Sequence, residues 1–222
     1  MPRMKRIVIP GIPFHITNRG NRRQQIFFND EHKKTYLELL RRFAERFGLK
    51  IWAYCLMFNH IHLIALLLQL DSMHLTIRET HKKYTNFINL EKDWKGSLWQ
   101  GRYDSFPLEE AHLYQAFRYV ENNPVRAGIV KYAEEYRWSS ARAHVFNTPD
   151  PVLSESPFKS QIKDWRAYLR KRENEAELQE IRDRIRTGRP FGSEEFIDRL
   201  EKTLDREIRP RKPGPKLNSG VE

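Results

Sequence analysis

Two histidines separated by one residue, His60 and His62, are the strongest candidates for metal ligands in this sequence. They lie in a segment that predicts a β-strand, and alternate residues of a strand project from one face, so both imidazoles can bind the same ion. With 8 histidines in 222 residues, such a pair arises by chance about 0.3 times per chain. The pair therefore needs a third ligand and a reactive group before it indicates a site.

Tyr119 and Asn123 could supply that reactive group and that ligand. They are four residues apart on a helix that we expect to end before Pro124, so they project from one helical face. The Asn123 carboxamide oxygen could complete a His-His-Asn set that leaves positions open for a phosphate oxygen. Mg²⁺ or Mn²⁺ suits such a set, although imidazoles also suit Zn²⁺. Tyr119 could equally be a half-buried aromatic residue of an amphipathic helix.

The net charge of +11 is distributed unevenly along the chain. Residues 1–144 hold 23 Lys and Arg against 14 Asp and Glu, and no acidic residue precedes Asp30. A polyanion such as nucleic acid can approach this end without repulsion. Surface arginines are usually solvated and Trp99 could belong to the core. The candidates for DNA contact are Arg19, Arg22, Arg23 and Arg102, with Trp99 and Tyr103 as candidates for stacking on an unpaired base.

Hydrophobic periodicity predicts the element order β-α-β-β-α-β-α over the first 145 residues. The predicted strands cover 12–18, 49–57, 60–67 and 98–108, the last of them broken by Gly101. Asn29 or Asp30 can cap the first predicted helix, and the other two begin near Met73 and Glu109. We expect the second helix to end at Gly96. This order favours an α+β fold, a split β-α-β domain whose four-stranded, mainly antiparallel sheet carries helices on one face and leaves the other free for a ligand.

The composition changes after residue 145. We expect a helical extension over 146–208, with a charged helical region from Lys159 to Arg186 and a short helix capped by Ser193. The basic, proline-rich residues 209–222 are expected to be disordered. No apolar run is long enough to span a bilayer, and a single cysteine, Cys55, excludes an intramolecular disulfide. A soluble protein of the reducing cytoplasm is the expectation.

Four motifs in fixed order link these features. They are Cys-Leu-Met-Phe-Asn-His-Ile-His-Leu at 55–63, Leu-Trp-Gln-Gly-Arg-Tyr at 98–103, Tyr-Val-Glu-Asn-Asn-Pro-Val-Arg-Ala-Gly at 119–128 and Tyr-Arg-Trp-Ser-Ser at 136–140. Together they resemble the REP-associated tyrosine transposases, which belong to the single-tyrosine branch of the HUH nucleases. The similarity covers residues 5–145.

This resemblance implies a ferredoxin-like domain in which His60, His62 and Asn123 bind a metal and Tyr119 is the nucleophile. The implied reaction cleaves single-stranded DNA beside a palindromic hairpin, forming a 5′-phosphotyrosine bond and a free 3′-hydroxyl. The reverse attack would rejoin strands. The protein would act as a monomer or as a homodimer. Two other hypotheses are a regulator that binds repeat DNA without cleaving it and a metal hydrolase in which Tyr119 is dispensable.

Overall fold

The computed structural model describes residues 5–209. Most of the predicted basic tail, residues 210–222, therefore lies outside the described residues. The strands are Pro13–Arg19 (β1), Leu49–Met57 (β2), His60–Leu67 (β3) and Asp104–Pro107 (β4). The helices are Asp30–Phe47 (α1), Ser72–Lys92 (α2), Leu113–Glu121 (α3), Asn123–Arg126 (α4), Ala141–Phe146 (α5), Trp165–Arg170 (α6), Glu175–Thr187 (α7) and Glu194–Leu204 (α8).

The four strands form one antiparallel sheet in the order β2-β3-β1-β4. This order, with α1 and α2 as the two crossover elements, confirms the predicted ferredoxin-like α+β fold. In the register of the sheet, Thr17 lies opposite both His62 and Asp104. Directly paired residues project from the same face, so these three side chains form a row across the sheet.

Helices α1 and α2 cover the face that carries Phe14, Ile16 and Asn18. The Asn29 side chain caps α1 by accepting a hydrogen bond from a backbone N–H of its first turn, and a left-handed glycine at position 48 ends it. Tyr36 of α1 and Tyr84 of α2 are fully buried and meet edge to face, with ring centroids 5.2 Å apart. This face is the main hydrophobic core.

The opposite face is not free, contrary to the prediction. Helix α3 packs on it against β2 and β3, and the Tyr119 ring meets the His62 ring there. Helix α7 approaches the edge strand β4 from the C-terminal extension. The chain after β4 thus folds back over this face, which we call the ligand face, and leaves a pocket open on it.

The predicted strand over 98–108 was too long. Only Asp104–Pro107 pairs as a strand, and the preceding loop makes a single bridge from Trp99 to Gly20. The apolar residues of this loop are buried by side-chain packing instead: Trp99 stacks on His81 with centroids 3.7 Å apart. Helix α2 also ends before Gly96, because Asp93 adopts the left-handed conformation at φ 52°.

The C-terminal extension contains separate helices where one charged helical region was expected. Asp164 caps α6 and Asn174 caps α7 by accepting backbone hydrogen bonds, so each side chain begins a new helix. Ser193 caps α8 as predicted. No helix within residues 5–209 has the length and apolar character needed to cross a lipid bilayer.

Candidate active site

A pocket of about 730 Å³ lies on the ligand face, between the ends of β1 and β3 and the helices α3, α4 and α7. Five residues singled out from the sequence line it: Arg19, His60, His62, Tyr119 and Asn123. These residues come from β1, β3 and the consecutive helices α3 and α4, three parts of the chain that are far apart in sequence. The sheet register and the packing of α3 across it bring them to one place.

The two histidines lie side by side on β3, with ring centroids 5.1 Å apart and planes at 90°. His60 shares a 2.6 Å hydrogen bond through Nδ1 with the side chain of Asn59. His62 likewise engages Nδ1, at 3.0 Å from Nε2 of His15. In both rings Nε2 is therefore the nitrogen that can coordinate an ion.

Burial keeps these imidazoles neutral near pH 7. Desolvation lowers the pKa of His60 to about 4, with Arg19 adding to the effect. It also lowers the pKa of His62 well below its usual value, and neighbouring His15 and His60 lower it further. A neutral imidazole has a free lone pair for a metal, so the site does not have to lose a proton before it binds one.

His15 is a neighbour of His62 that the sequence analysis did not single out. It is fully buried on β1, and burial lowers its pKa to about 3. Its contact with Nδ1 of His62 orients the ring, in the manner of partners that surround metal ligands. The strand register brings the two histidines together. His15 lies two residues before Thr17, on the same face of β1, and Thr17 is paired with His62.

Tyr119 projects from α3 onto the histidines and is mostly buried, at 9% exposure. Its ring lies edge-on to His62, with centroids 5.7 Å apart and planes at 86°. Burial raises the pKa of its phenol, while the positive charges of Arg126, Arg182 and Arg19 lower it. Burial outweighs these charges, so the pKa of the phenol lies above the usual value for a tyrosine.

Asn123 reaches the same pocket, although not from one continuous helix. Helix α3 ends at Glu121, and α4 begins at Asn123 after a break at Asn122. Pro124 has no N–H to continue the α3 hydrogen bonds. The guanidinium of Arg126 donates to the carbonyl of Tyr119 across this break, which fixes the two pocket residues relative to each other.

Arg126 also lies over the Tyr119 ring, with its guanidinium carbon 4.4 Å from the ring centroid. A 2.6 Å ion pair with Glu173 holds its other side. Arg126 stands within the Asn-Asn-Pro-Val-Arg motif, three residues beyond Asn123, so the motif was a signal that could have identified it.

Other lining residues that had not been predicted include Thr17, Asp104, Arg182 and Arg186. Together with Arg19 and Arg126, the two arginines of α7 give the pocket four guanidinium groups against the one carboxylate of Asp104. Such a wall favours an anionic ligand.

The other predicted DNA contacts lie away from this pocket. Arg22 and Arg23 are exposed in a turn with positive φ, and exposed Arg102 lines a separate cavity of about 340 Å³. Trp99 and Tyr103 are buried. Both residues line the same cavity as Arg102, and their stacking on an unpaired base stays a prediction.

The donor chemistry of the pocket fits a divalent ion. Within residues 5–209, no group of three or more His, Cys, Asp or Glu side chains is placed to hold a metal. The carboxamide of Asn123 lines the same pocket as His60 and His62, so its oxygen could join the two imidazoles at an ion. Two nitrogens and one oxygen leave room for phosphate oxygens.

Comparison with known proteins gives a family and a fold. The family model for IS200-like transposases matches residues 9–123. The structure of a REP-associated tyrosine transposase bound to a REP hairpin superposes with a TM-score of 0.58 at 20% identity, covering 70% of this chain and 93% of that one.

A putative transposase from Deinococcus radiodurans R1 is 22% identical, with a TM-score of 0.39, over 55% of this chain and 97% of that one. No curated protein matches significantly. The family match takes in β1 to β4 and ends at Asn123, so it includes both histidines and Tyr119. The chain belongs to the IS200-like transposase family.

Proposed function

We propose that this protein is a metal-dependent single-strand DNA nicking and joining enzyme in which Tyr119 is the covalent nucleophile. Family membership implies an enzyme that cleaves and transfers DNA. One observation supports the finer assignment: Tyr119, His60, His62 and Asn123 line a single pocket walled by arginines.

The Tyr119 oxygen attacks the scissile phosphorus, forming an O–P bond as the bond to the 3′-oxygen breaks. The phenol gives up its proton, and the departing 3′-oxygen takes one up and becomes a hydroxyl. Arg126, Arg182 and Arg19 offset part of the rise in the phenol's pKa that burial causes, because a cation stabilises the anionic form. The protein stays joined to the 5′-phosphate of the cleaved DNA strand through Tyr119. Attack of a 3′-hydroxyl on this phosphorus reverses the step without a nucleotide cofactor.

His60, His62 and Asn123 would hold the ion, Mg²⁺ or Mn²⁺. When bound there, it would polarise the scissile phosphate and stabilise charge on its non-bridging oxygens. Asn59 and His15 fix the two imidazoles through Nδ1, so the coordinating nitrogens are oriented before an ion arrives.

The substrate we propose is a palindromic repeat that folds as a hairpin with an adjacent single-stranded segment. The solved relative that shares this fold was bound to a REP hairpin. In this chain, a pocket lined by Arg19, Arg126, Arg182 and Arg186 offers phosphate-binding groups around the nucleophile.

The test is to incubate the protein with Mg²⁺ or Mn²⁺ and a labelled hairpin, and to look for a covalent adduct on a denaturing gel. We expect Tyr119→Phe to abolish the adduct. Tyr114→Phe is the matched control, since Tyr114 lies on the same helix but points to Gln161 outside the pocket. We expect His62→Ala to reduce adduct formation by at least about 100-fold.

Other results would contradict the proposal. Cleavage by Tyr119→Phe without an adduct would indicate a hydrolase. Tight binding of repeat hairpins from the source genome, with no cleavage of any of them, would indicate a non-cleaving regulator.

A further inference from the structure

Helix α7 lies beyond the part of the chain that matches the family model, yet it forms one wall of the candidate active site. Arg182, Ile185 and Arg186 all line the pocket. We infer that Arg182 and Arg186 bind backbone phosphates of the DNA strand that enters beside Tyr119. This inference rests on the proposed function and gives the C-terminal extension a role in it.

The position of α7 is fixed by contacts on its other side. Leu178 and Ile181 are buried and anchor the helix to the body of the protein. Arg118 of α3 forms a 3.0 Å ion pair with Glu177 of α7. Because Tyr119 directly follows Arg118, this pair ties α7 to the helix that presents the nucleophile.

Arg182 and Arg186 are four residues apart, so they project from one helical face. Their side chains are 44% and 76% exposed. Among residues 5–209 their ion pairs are with neighbours on their own helix, Arg182 with Glu175 at 2.5 Å and Arg186 with Asp183 at 3.1 Å. Exposed pairs of this kind are weak. A DNA phosphate can therefore displace Glu175 or Asp183 at little cost and offer each guanidinium a two-pronged partner.

Arginines line the pocket on several of its sides. Arg19 and Arg126 stand on the β1 and α4 sides, and Arg182 and Arg186 on the α7 side. A strand whose scissile phosphate reaches Tyr119 must carry its neighbouring phosphates past these walls.

The experiment measures binding of a labelled hairpin with single-stranded flanks, in the Tyr119→Phe background so that cleavage does not interfere. We expect the double variant Arg182→Gln/Arg186→Gln to weaken binding about tenfold at low salt, equally for different flanking sequences. The plot of log affinity against log salt should become shallower by about 0.7 for each phosphate that an arginine no longer neutralises. Arg182→Lys/Arg186→Lys should restore much of the slope, because it keeps both charges.

Arg199→Gln is the matched control. Arg199 is an exposed arginine of α8 that pairs with Glu109 and does not line the pocket, so its replacement should leave affinity and slope unchanged. Melting curves should confirm that all variants are folded, since the substituted side chains are on the surface.

Unchanged affinity and slope in the double variant would overturn the inference. Increased adduct formation without weaker binding, in a double variant that keeps Tyr119, would also overturn the inference. In that case α7 would restrict access to the pocket. Absence of an adduct in the unsubstituted protein would count against the proposed function alone, since the binding measurement does not depend on cleavage.

Discussion

At the residue scale, two opposing influences act on the Tyr119 hydroxyl. Burial raises its pKa, and nearby arginines lower it. An unperturbed tyrosine has a pKa of about 10, so roughly one in a thousand is ionised at neutral pH. Among the neighbouring charges, Arg126 has the largest effect on the pKa of this hydroxyl. Its guanidinium also lies over the Tyr119 ring.

Replacing Arg126 with Gln should slow adduct formation about tenfold or more at pH 7.5 and move the rising part of the pH–rate profile to higher pH. The sign follows from the charge: without the cation the phenolate is less stable, so the phenol's pKa rises. Single-turnover rates between about pH 6 and pH 10 would measure both effects.

Arg142→Gln is the control for this prediction. Arg142 is an exposed arginine of α5 whose guanidinium also lies over an aromatic ring, that of Phe146, but it does not line the pocket. A slower Arg126→Gln variant with an unshifted profile would mean that Arg126 acts by holding the backbone of Tyr119 and not through its charge.

At the element scale, α3 must be held firmly because it carries Tyr119 across the sheet. Its last residue, Glu121, is fully buried and accepts hydrogen bonds from Ser140 at 2.5 Å, His144 at 2.6 Å and Trp165 at 2.8 Å. These partners belong to the start of α5, to α5 and to α6. One carboxylate thus joins three helices behind the nucleophile.

Glu121→Ala should lower the free energy of unfolding by about 3 kcal/mol, because it leaves buried donors without an acceptor. Urea denaturation followed by circular dichroism would measure this. Glu38→Ala, at an exposed position of α1, should change stability by less than about 0.5 kcal/mol. A decrease below about 1 kcal/mol for Glu121→Ala would show that the network does not hold α3.

Periodicity and capping residues predicted the regular elements well. Asn29 caps α1 and Ser193 caps α8 as expected, and the paired strands β2 and β3 have their predicted bounds. The loop containing Trp99 was misread as a strand because buried apolar residues resemble a strand whether or not the backbone pairs. The fold class is confirmed, and the roles of His60, His62, Tyr119 and Asn123 stay predictions.

Arg182 and Arg186 show what sequence alone could not supply. On a helix with charges on most sides, periodicity does not say which face meets a pocket formed by distant residues. His15 poses the same difficulty, since its contact with His62 depends on the register between two strands separated by 40 or more residues of sequence. These residues emerge only when the strands and helices are placed together.

At the scale of the whole molecule, packing continues across the predicted domain boundary at residue 145. Phe117 of α3 is fully buried, stacked on Phe158 at 5.1 Å and edge-on to Trp165 at 5.7 Å. Phe191 hydrogen-bonds with the backbone of Pro107 and Glu109 at the end of β4. The extension thus covers α3 and the end of the edge strand β4, both of which would otherwise be exposed to solvent.

A chain that ends after Asn147 should therefore be much less stable than the full chain. Removing Phe158, Trp165 and Phe191 exposes Phe117 and leaves Glu121 without one of its donors, a change that we expect to cost about 4 kcal/mol or more. That is a large part of the roughly 5–15 kcal/mol that typically stabilises a domain.

Thermal and urea denaturation should show an earlier, broader transition for the chain that ends after Asn147. A chain ending after Arg209 is the matched control, because it keeps all of these packing partners. If the chain ending at Asn147 unfolds cooperatively at the midpoint of the full protein, the first 145 residues form an independent domain and the extension contributes to the pocket alone.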